Sequence, residues 1–501
     1  MAHNAPNSTT PPLRVLYVAA ECTPWCSTGG LGEVTQALPQ ALQDAGLQVA
    51  VCIPLYRDAR EKIAQRGARL EDTGASASVW MGGHRLDSRW FRVVPADGDK
   101  VASRAPTFAC DCPPLFDREG LYGHGDDEAR FSTFCRAALS CSAQLLGGKP
   151  DIVHAHDWHT ALLPLYLAGG YRQFLPQTKS VLSIHNLAYQ GLYPPSALGT
   201  IGVGTEWFNL DVLEFHGAVN LMKGGIATAD AVTTVSPRYA MEIQTAEFGE
   251  RLEGVLRRHS GKLTGILNGI DTDLWNPATD PLVPFHFSAN DLAGKAANRR
   301  HLLQVARMDP DDPHPVFVGV SRLTGQKGFD LVAELVPYLA SRSVRLILLG
   351  RGSEAMEHQF HELERFHWPH FRFHPHHDMA LAHLLYAAGD AVLVPSRWEP
   401  CGLTQLYAMR YGTVPIVRAV GGLRDTVVPT YAQTLANGTA NGFAFEHDSV
   451  TGLKWAIDQA LDAFYGAPDV WRQVQLNGLR RESAWRGSAQ AYVQVYRRVM
   501  G

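Results

Sequence analysis

The feature that most constrains this 501-residue chain is a pattern met twice over its length. A short apolar run leads into a loop rich in glycine or polar residues, and apolar residues at helical spacing follow. Arg14-Val15-Leu16-Tyr17-Val18-Ala19-Ala20 is nearly continuous in apolar residues, as a strand buried on both faces must be. Ser27-Thr28-Gly29-Gly30-Leu31-Gly32 follows, and Leu31, Val34, Leu38, Ala41, Leu42 and Ala45 then recur on one helical face. Pro39 within that run predicts a kink. Residues 48–53, 150–156, 180–186 and 231–236 read as further strands, and residues 157–159 as a loop. Residues 60–150 read less clearly, as shorter strands with an acidic loop at Asp126-Asp127-Glu128. After the proline-rich residues 309–315 the pattern restarts, with strands at 316–320, 344–349, 390–394 and 414–417.

Strand and helix alternating in two series predicts an α/β chain of two doubly wound domains with a cleft between them. The expected boundaries are 13–268 and 269–482, with residues 483–501 a helix that packs back on the first domain. Three strands of the first series end in His, Asp, Asn or Ser, where an open parallel sheet holds its ligands.

Composition narrows the class. Only 19% of residues are charged and the formal net charge is -4, which argues for a soluble enzyme and against a polyanion-binding surface such as one for nucleic acid. No apolar run reaches the roughly 20 residues that span a bilayer. Residues 1–12 lack the basic and apolar regions of a signal peptide, so a cytoplasmic location is expected. Eight cysteines without paired C-x-x-C spacing then read as reduced thiols. Two clusters contain metal-ligand residue types: His156, Asp157 and His159, and His374, His376 and His377 with Asp378. Neither has H-E-x-x-H spacing, and ligand-lining loops account for both without a metal.

The residues that carry chemistry sit in loops after strands. Pro395-Ser396-Arg397-Trp398-Glu399-Pro400-Cys401-Gly402-Leu403-Thr404 places a carboxylate between a buried strand and a helix, and Gly402 permits close approach of a ligand. Backbone N–H groups at Gly402, Leu403 and Thr404 would open that helix toward anionic oxygen. A carboxylate beside such a site suits a molecule with hydroxyls at one end and phosphates at the other, as in a nucleotide sugar; a capped helix in an ordinary α/β domain fits the same residues. Arg322 and Lys327 share one loop with Gly325 and Gly328, and two fixed cations suit a diphosphate that gains charge as it leaves. His185 with Asn186 stands at a strand end, where it would bond either a sugar or a backbone carbonyl.

Together these motifs closely resemble the bacterial glycogen synthases and plant starch synthases, retaining glucosyltransferases of the GT-B fold. The matching stretches are Thr28-Gly29-Gly30-Leu31-Gly32, His154-Ala155-His156-Asp157-Trp158-His159, His185-Asn186-Leu187-Ala188-Tyr189-Gln190-Gly191, Gln326-Lys327-Gly328 and Glu399-Pro400-Cys401-Gly402-Leu403-Thr404. The resemblance implies transfer of glucose from ADP-glucose to the non-reducing end of an α-1,4-glucan, with retention and without metal or other cofactor. It assigns Arg322 and Lys327 to the departing diphosphate, Glu399 to hydroxyls of the donor glucose, and His185 and Asp157 to the region of the reacting sugar. Cys401, Gly402, Leu403 and Thr404 would line the sugar and phosphates, Gly29, Gly30 and Leu31 would cover the phosphates, and Asn186 would adjoin His185. Three positions depart from the family pattern. Ser27 stands for a Lys, Glu33 for an Asp, and His377 for the Tyr that lies against the adenine, so donor preference is where this chain would differ. Alternatives are a related glucosyltransferase with another donor or acceptor, and a catalytically weak glucan-binding homologue.

Overall fold

The computed structural model describes residues 11–81 and 83–501; the reading of the first residues as lacking a leader falls almost wholly outside them. The chain divides into two compact units. One takes the chain through Val235, then Ala240–Gly269 and Trp485–Gly501; the other takes Ser236–Tyr239 and Ile270–Ala484.

The strands of the first unit are β1 (Arg14–Val18), β2 (Gln48–Pro54), β3 (Arg69–Met81), β4 (His84–Val94), β5 (Thr107–Asp111), β6 (Ile152–His156) and β7 (Lys179–Ile184). The short β8 (Leu192–Tyr193), β9 (Glu214–Phe215) and β10 (Ala218–Asn220) form a small antiparallel sheet, and β11 (Ala231–Thr234) and β12 (Leu263–Gly265) complete the set. The main sheet runs β12-β11-β7-β6-β1-β2-β5-β4-β3. It is parallel from β12 to β5, and β3 and β4 add an antiparallel hairpin. From β1 the chain winds one way to β2 and β5, then returns to build β6, β7, β11 and β12 on the other side. The order therefore reverses between β1 and β6, the place where an open α/β sheet leaves a crevice beyond its strand ends.

Pro39 lies inside helix Gly30–Asp44, which continues past it. Two loop expectations change. The acidic stretch at Asp126-Asp127-Glu128 is the start of a 20-residue helix, Asp127–Leu146, rather than a loop. Asp127 is drawn inward there by a 2.5 Å ion pair to the fully buried Arg130. Residues 157–160 form one helical turn, Asp157–Thr160, instead of a loop. The terminal helix Trp485–Met500 belongs to this first unit and buries Tyr492 and Tyr496.

The second unit contains β13 (Val316–Val320), β14 (Arg345–Leu349), β15 (Phe371–His374), β16 (Ala391–Val394), β17 (Val414–Arg418) and β18 (Phe443–Phe445). All pair in parallel, in the order β15-β14-β13-β16-β17-β18. Its core joins inward strand residues such as Phe317, Leu346 and Ile416 to Val332 and Val336 of helix Phe329–Ser341 and to Leu453 and Ile457 of helix Val450–Gly466. Here the order reverses between β13 and β16. Each unit thus has one switch point, and the loops after β1, β6, β13 and β16 carry most of the sequence-predicted residues; His185 and Asn186 follow β7, and His377 follows β15.

Candidate active-site residues

In the second unit the loops after β13 and β16 are joined to one another. A Cβ on Gly328, at φ +67, would lie 2.1 Å from the Pro395 carbonyl oxygen, so only glycine lets the two backbones meet. The Arg397 N–H donates to the Gln326 carbonyl at 2.8 Å, and Gln326 Nε2 donates to the Trp398 carbonyl at 3.1 Å. Arg397 is held in turn by Asp330 through two bonds of 2.8 and 2.7 Å. This frame fixes Lys327 against Glu399, Nζ to Oε2 at 2.5 Å, and the Ser396 hydroxyl donates to the same oxygen at 2.9 Å. The Glu399 side chain is 9% exposed and that of Lys327 19%, so the pair is largely withdrawn from water. Arg322 differs: it is exposed, and its guanidinium has no hydrogen bond or ion pair among the described residues. A paired cation that holds the carboxylate and a free cation five residues away thus share one loop.

The other side of the Glu399 loop rests on two glycines. Cβ atoms on Gly421 and Gly422 would each fall 2.0 Å from a carbonyl oxygen, that of Glu399 and that of Cys401. The Gly422 N–H donates to the Glu399 carbonyl at 3.0 Å. Gly402 has φ +72, and Gln405 Nε2 donates to the carbonyls of Cys401 and Gly402 at 3.2 and 2.8 Å. Cys401 is buried, Leu403 is the N-cap, and helix Thr404–Arg410 begins one residue later. His377 is exposed, next to Asp378, whose carboxylate caps helix Met379–Ala388 through the Leu381 N–H at 2.9 Å. Among the described residues no group of three or more His, Cys, Asp and Glu could hold a metal ion.

The first unit's switch point has a different character. The loop after β1 is organised by Glu21, which the sequence reading missed. Its buried carboxylate accepts the Thr28 N–H and hydroxyl, both at 2.8 Å, the Gly29 N–H at 3.3 Å and the Tyr122 hydroxyl at 2.8 Å. Those bonds bend the chain so that Gly29 and Gly30 are exposed at the start of helix Gly30–Asp44 while Leu31 turns inward. Ser27 is half-buried, and a Cβ on Gly32 would lie 2.5 Å from the Ser27 Cβ. Glu33 is half-buried in the first turn. The available signal was positional: a carboxylate just past a buried strand, eight residues before a glycine pair.

After β6, Asp157 takes φ +56, a conformation unusual outside glycine, and its Oδ1 accepts the backbone N–H of His185 at 2.7 Å and of Asn186 at 3.3 Å. The bonds join the end of β6 to the end of β7. Burial pushes the Asp157 carboxyl up to about 7, against the two N–H donors that favour its charge. The neighbouring histidines shift the opposite way. Burial lowers His185 to about 4, and His154 and His159 to about 3. His154 is anchored from the terminal helix by the Tyr496 hydroxyl at 2.8 Å and bonds the Ser183 hydroxyl at 2.7 Å on its other nitrogen. So Asp157, His185 and Asn186 come together; Ser27, Gly29, Gly30, Leu31 and Glu33 form the adjoining loop, and Arg322, Lys327, Glu399 and residues 401–404 group in the second unit.

Comparison with known proteins now bears on this arrangement. Residues 14–258 match the model of the starch synthase catalytic domain, and residues 305–463 that of glycosyl transferases group 1. Glycogen synthase of Streptococcus sanguinis (strain SK36) is 40% identical over 491 residues, 97% of this chain and 100% of its own. That of Lacticaseibacillus casei (strain BL23) is 39% identical over 493 residues, 98% and 99% of the two chains.

The chain belongs to the glycogen synthase family.

A solved starch synthase agrees in three dimensions. The catalytic domain of starch synthase IV from Arabidopsis thaliana, bound to ADP and acarbose, superposes with a TM-score of 0.88 at 34% identity, covering 98% of this chain and 99% of that one. Like other members of the glycogen synthase family this chain is a glycosyltransferase, and its two Rossmann-like domains are those of the GT-B fold.

Proposed function

We propose that this chain transfers glucose from ADP-glucose to the non-reducing end of an α-1,4-glucan with retention of configuration. The observation that carries this reading is the Lys327–Glu399 pair with Arg322 free in the same loop. A carboxylate held in one orientation by Lys327 and Ser396 has lone pairs left for sugar hydroxyls. The free Arg322 and the ammonium of Lys327 oppose the negative charge that grows on the diphosphate as the glycosidic carbon–oxygen bond breaks. Protein cations doing that work need no metal. By resemblance to the family, His185 and Asp157 would bond the sugar, and the loop at Gly29, Gly30 and Leu31 would bond the phosphates. Attack comes from the face the diphosphate leaves, and a leaving-group oxygen takes the proton of the acceptor hydroxyl. The new carbon–oxygen bond forms as the old one breaks, and the products are ADP and a chain one glucose longer.

The ADP-bound starch synthase relative supports the nucleotide. The eight cysteines are buried and none is in a disulfide, which fits a reducing cytoplasm. A second reading, transfer from a different nucleotide-glucose, draws on His377: an exposed imidazole stacks on a base less strongly than a phenol ring would. The test is purified protein with glycogen primer and a panel of nucleotide-glucoses, following nucleotide release and chain growth. ADP-glucose is expected to give the highest kcat/KM. Faster turnover of another donor selects the second reading, and glucan binding without turnover of any donor refutes both.

A further inference from the structure

Beneath the proposed sugar-facing residues lies a histidine with no part in the reaction described above. His156 ends β6, fully buried, one residue before Asp157. Its ring is stacked on Tyr17 of β1 at 4.0 Å between centroids and lies 4.1 Å from His154. Its Nδ1 is 2.9 Å from Nε2 of His185. Its Nε2 is buried and has no hydrogen-bond partner. The backbone N–H of His156 is separately fixed by the Thr160 hydroxyl at 2.6 Å, so the ring's position is set from two sides.

Two neutral imidazoles share one hydrogen bond in either of two ways, and each choice fixes both tautomers. If His185 donated, His156 would carry its proton on Nε2 and bury an N–H without an acceptor. If His156 donates through Nδ1–H, what remains unpaired on the buried Nε2 is a lone pair. An orphaned buried N–H is the rarer and costlier of the two. His156 Nδ1–H therefore donates, and His185 Nε2 accepts. His185 then carries its own proton on Nδ1, the nitrogen with no partner among the described residues.

We propose that His156 is a positioning residue that locks His185 in the Nδ1–H tautomer, so that His185 presents a hydrogen-bond donor to the sugar and not a base. The consequence for the reaction is specific. His185 cannot take the acceptor's proton, which goes to the leaving diphosphate, while its N–H holds a sugar oxygen in place. This rests on the transfer reading above for its catalytic consequence, but the tautomer itself does not.

The test has two arms. The first is nitrogen-15 spectroscopy of the full-length protein labelled at histidine, with the His185 and His156 signals assigned by loss in His185→Gln and His156→Asn. Protonated Nδ1 on both rings is expected; a protonated Nε2 on His185 overturns the proposal whatever the activity. The second arm is kinetic. His156→Phe keeps the stack on Tyr17 and removes the donor, and it should lower kcat about tenfold to a hundredfold, the usual effect of losing a group that orients a histidine. The donor KM should stay within about threefold, because binding contacts remain. His156→Asn restores a nitrogen donor near the Nδ1 position and should recover most of that loss. Equal losses in Phe and Asn variants would refute the positioning role. A wild type without transferase activity would instead remove the transfer reading and leave the spectroscopic result standing.

Discussion

The two switch points do different electrostatic work. In the second unit, charge is concentrated: Lys327 and Glu399 in a 2.5 Å pair, Arg322 beside them, and Arg397 clamped by Asp330. Around the ends of β6 and β7 in the first unit, charge is suppressed: His154, His156, His159 and His185 are held neutral by burial, and Asp157 is pushed up to about 7. On the proposed transfer reading, fixed cations would oppose the charge of a leaving diphosphate, and neutral donors and acceptors would bond a sugar without attracting competing ions. The same fold pattern thus carries charged pairs beyond its strands in one unit and neutral imidazoles in the other.

The strongest challenge to that division is Lys327→Ala. It should lower transfer about 1,000-fold, the scale of losing a preorganised charge at the site of developing negative charge. It should also cost about 2 kcal/mol of stability, because Glu399 stays buried without its charged partner, visible as a lower urea midpoint. Transfer within tenfold of wild type would break the comparison. Arg322→Ala sharpens it. Transfer should fall about 100-fold. The urea midpoint should not move, since an exposed, unpaired side chain contributes within about 0.5 kcal/mol. A large stability loss would show that Arg322 is a structural cation.

A smaller, pH-dependent contrast follows from burial. In the first unit, histidines whose folded values lie near 3 to 4 stay neutral while the unfolded chain begins to take up protons near 6.5. Their stabilisation is fully present above that unfolded value and is lost as pH falls through 4 toward 3. Asp157 works against this, because its raised value favours the folded state at low pH and that contribution is lost as pH rises through 7. His159→Phe should flatten the acid loss of stability, and an equally steep loss contradicts the assignment. In the second unit Lys295 is buried among the carbonyls of Tyr386, Ala387 and Tyr411, and burial lowers it to about 7. Stability there should rise between pH 7 and 10 in wild type relative to Lys295→Met, by denaturant midpoint; a difference independent of pH would refute it.

How much of this could be read beforehand follows from burial as well. Parallel strands covered on both faces, such as β1 and β13, are short apolar runs bounded by loop residues, and that made them conspicuous. The β3–β4 hairpin was not legible, because its faces alternate between water and protein and its register breaks between Asp72 and Ser76, around Gly74 at φ +70. β15 and β18 are too short to stand out. Glu399, Lys327 and Arg322 were visible because charges in loops after apolar strands are conspicuous. Glu21 was not, since its four donors come from Thr28, Gly29 and Tyr122, the last 101 residues away. The His156–His185 bond was hidden for a related reason: it joins neighbouring strands 29 residues apart whose pairing only the sheet order reveals.

The central claim is that the charged cluster of the second unit drives transfer of a glucosyl group. The most direct measurement follows ADP release and glucan growth together, from ADP-glucose and a glycogen primer, in wild type and Lys327→Ala. The account predicts one ADP released for each glucose added in an α-1,4 linkage by wild type, and near silence from a folded Lys327→Ala. ADP release without chain growth, or growth undiminished in the variant, would contradict it.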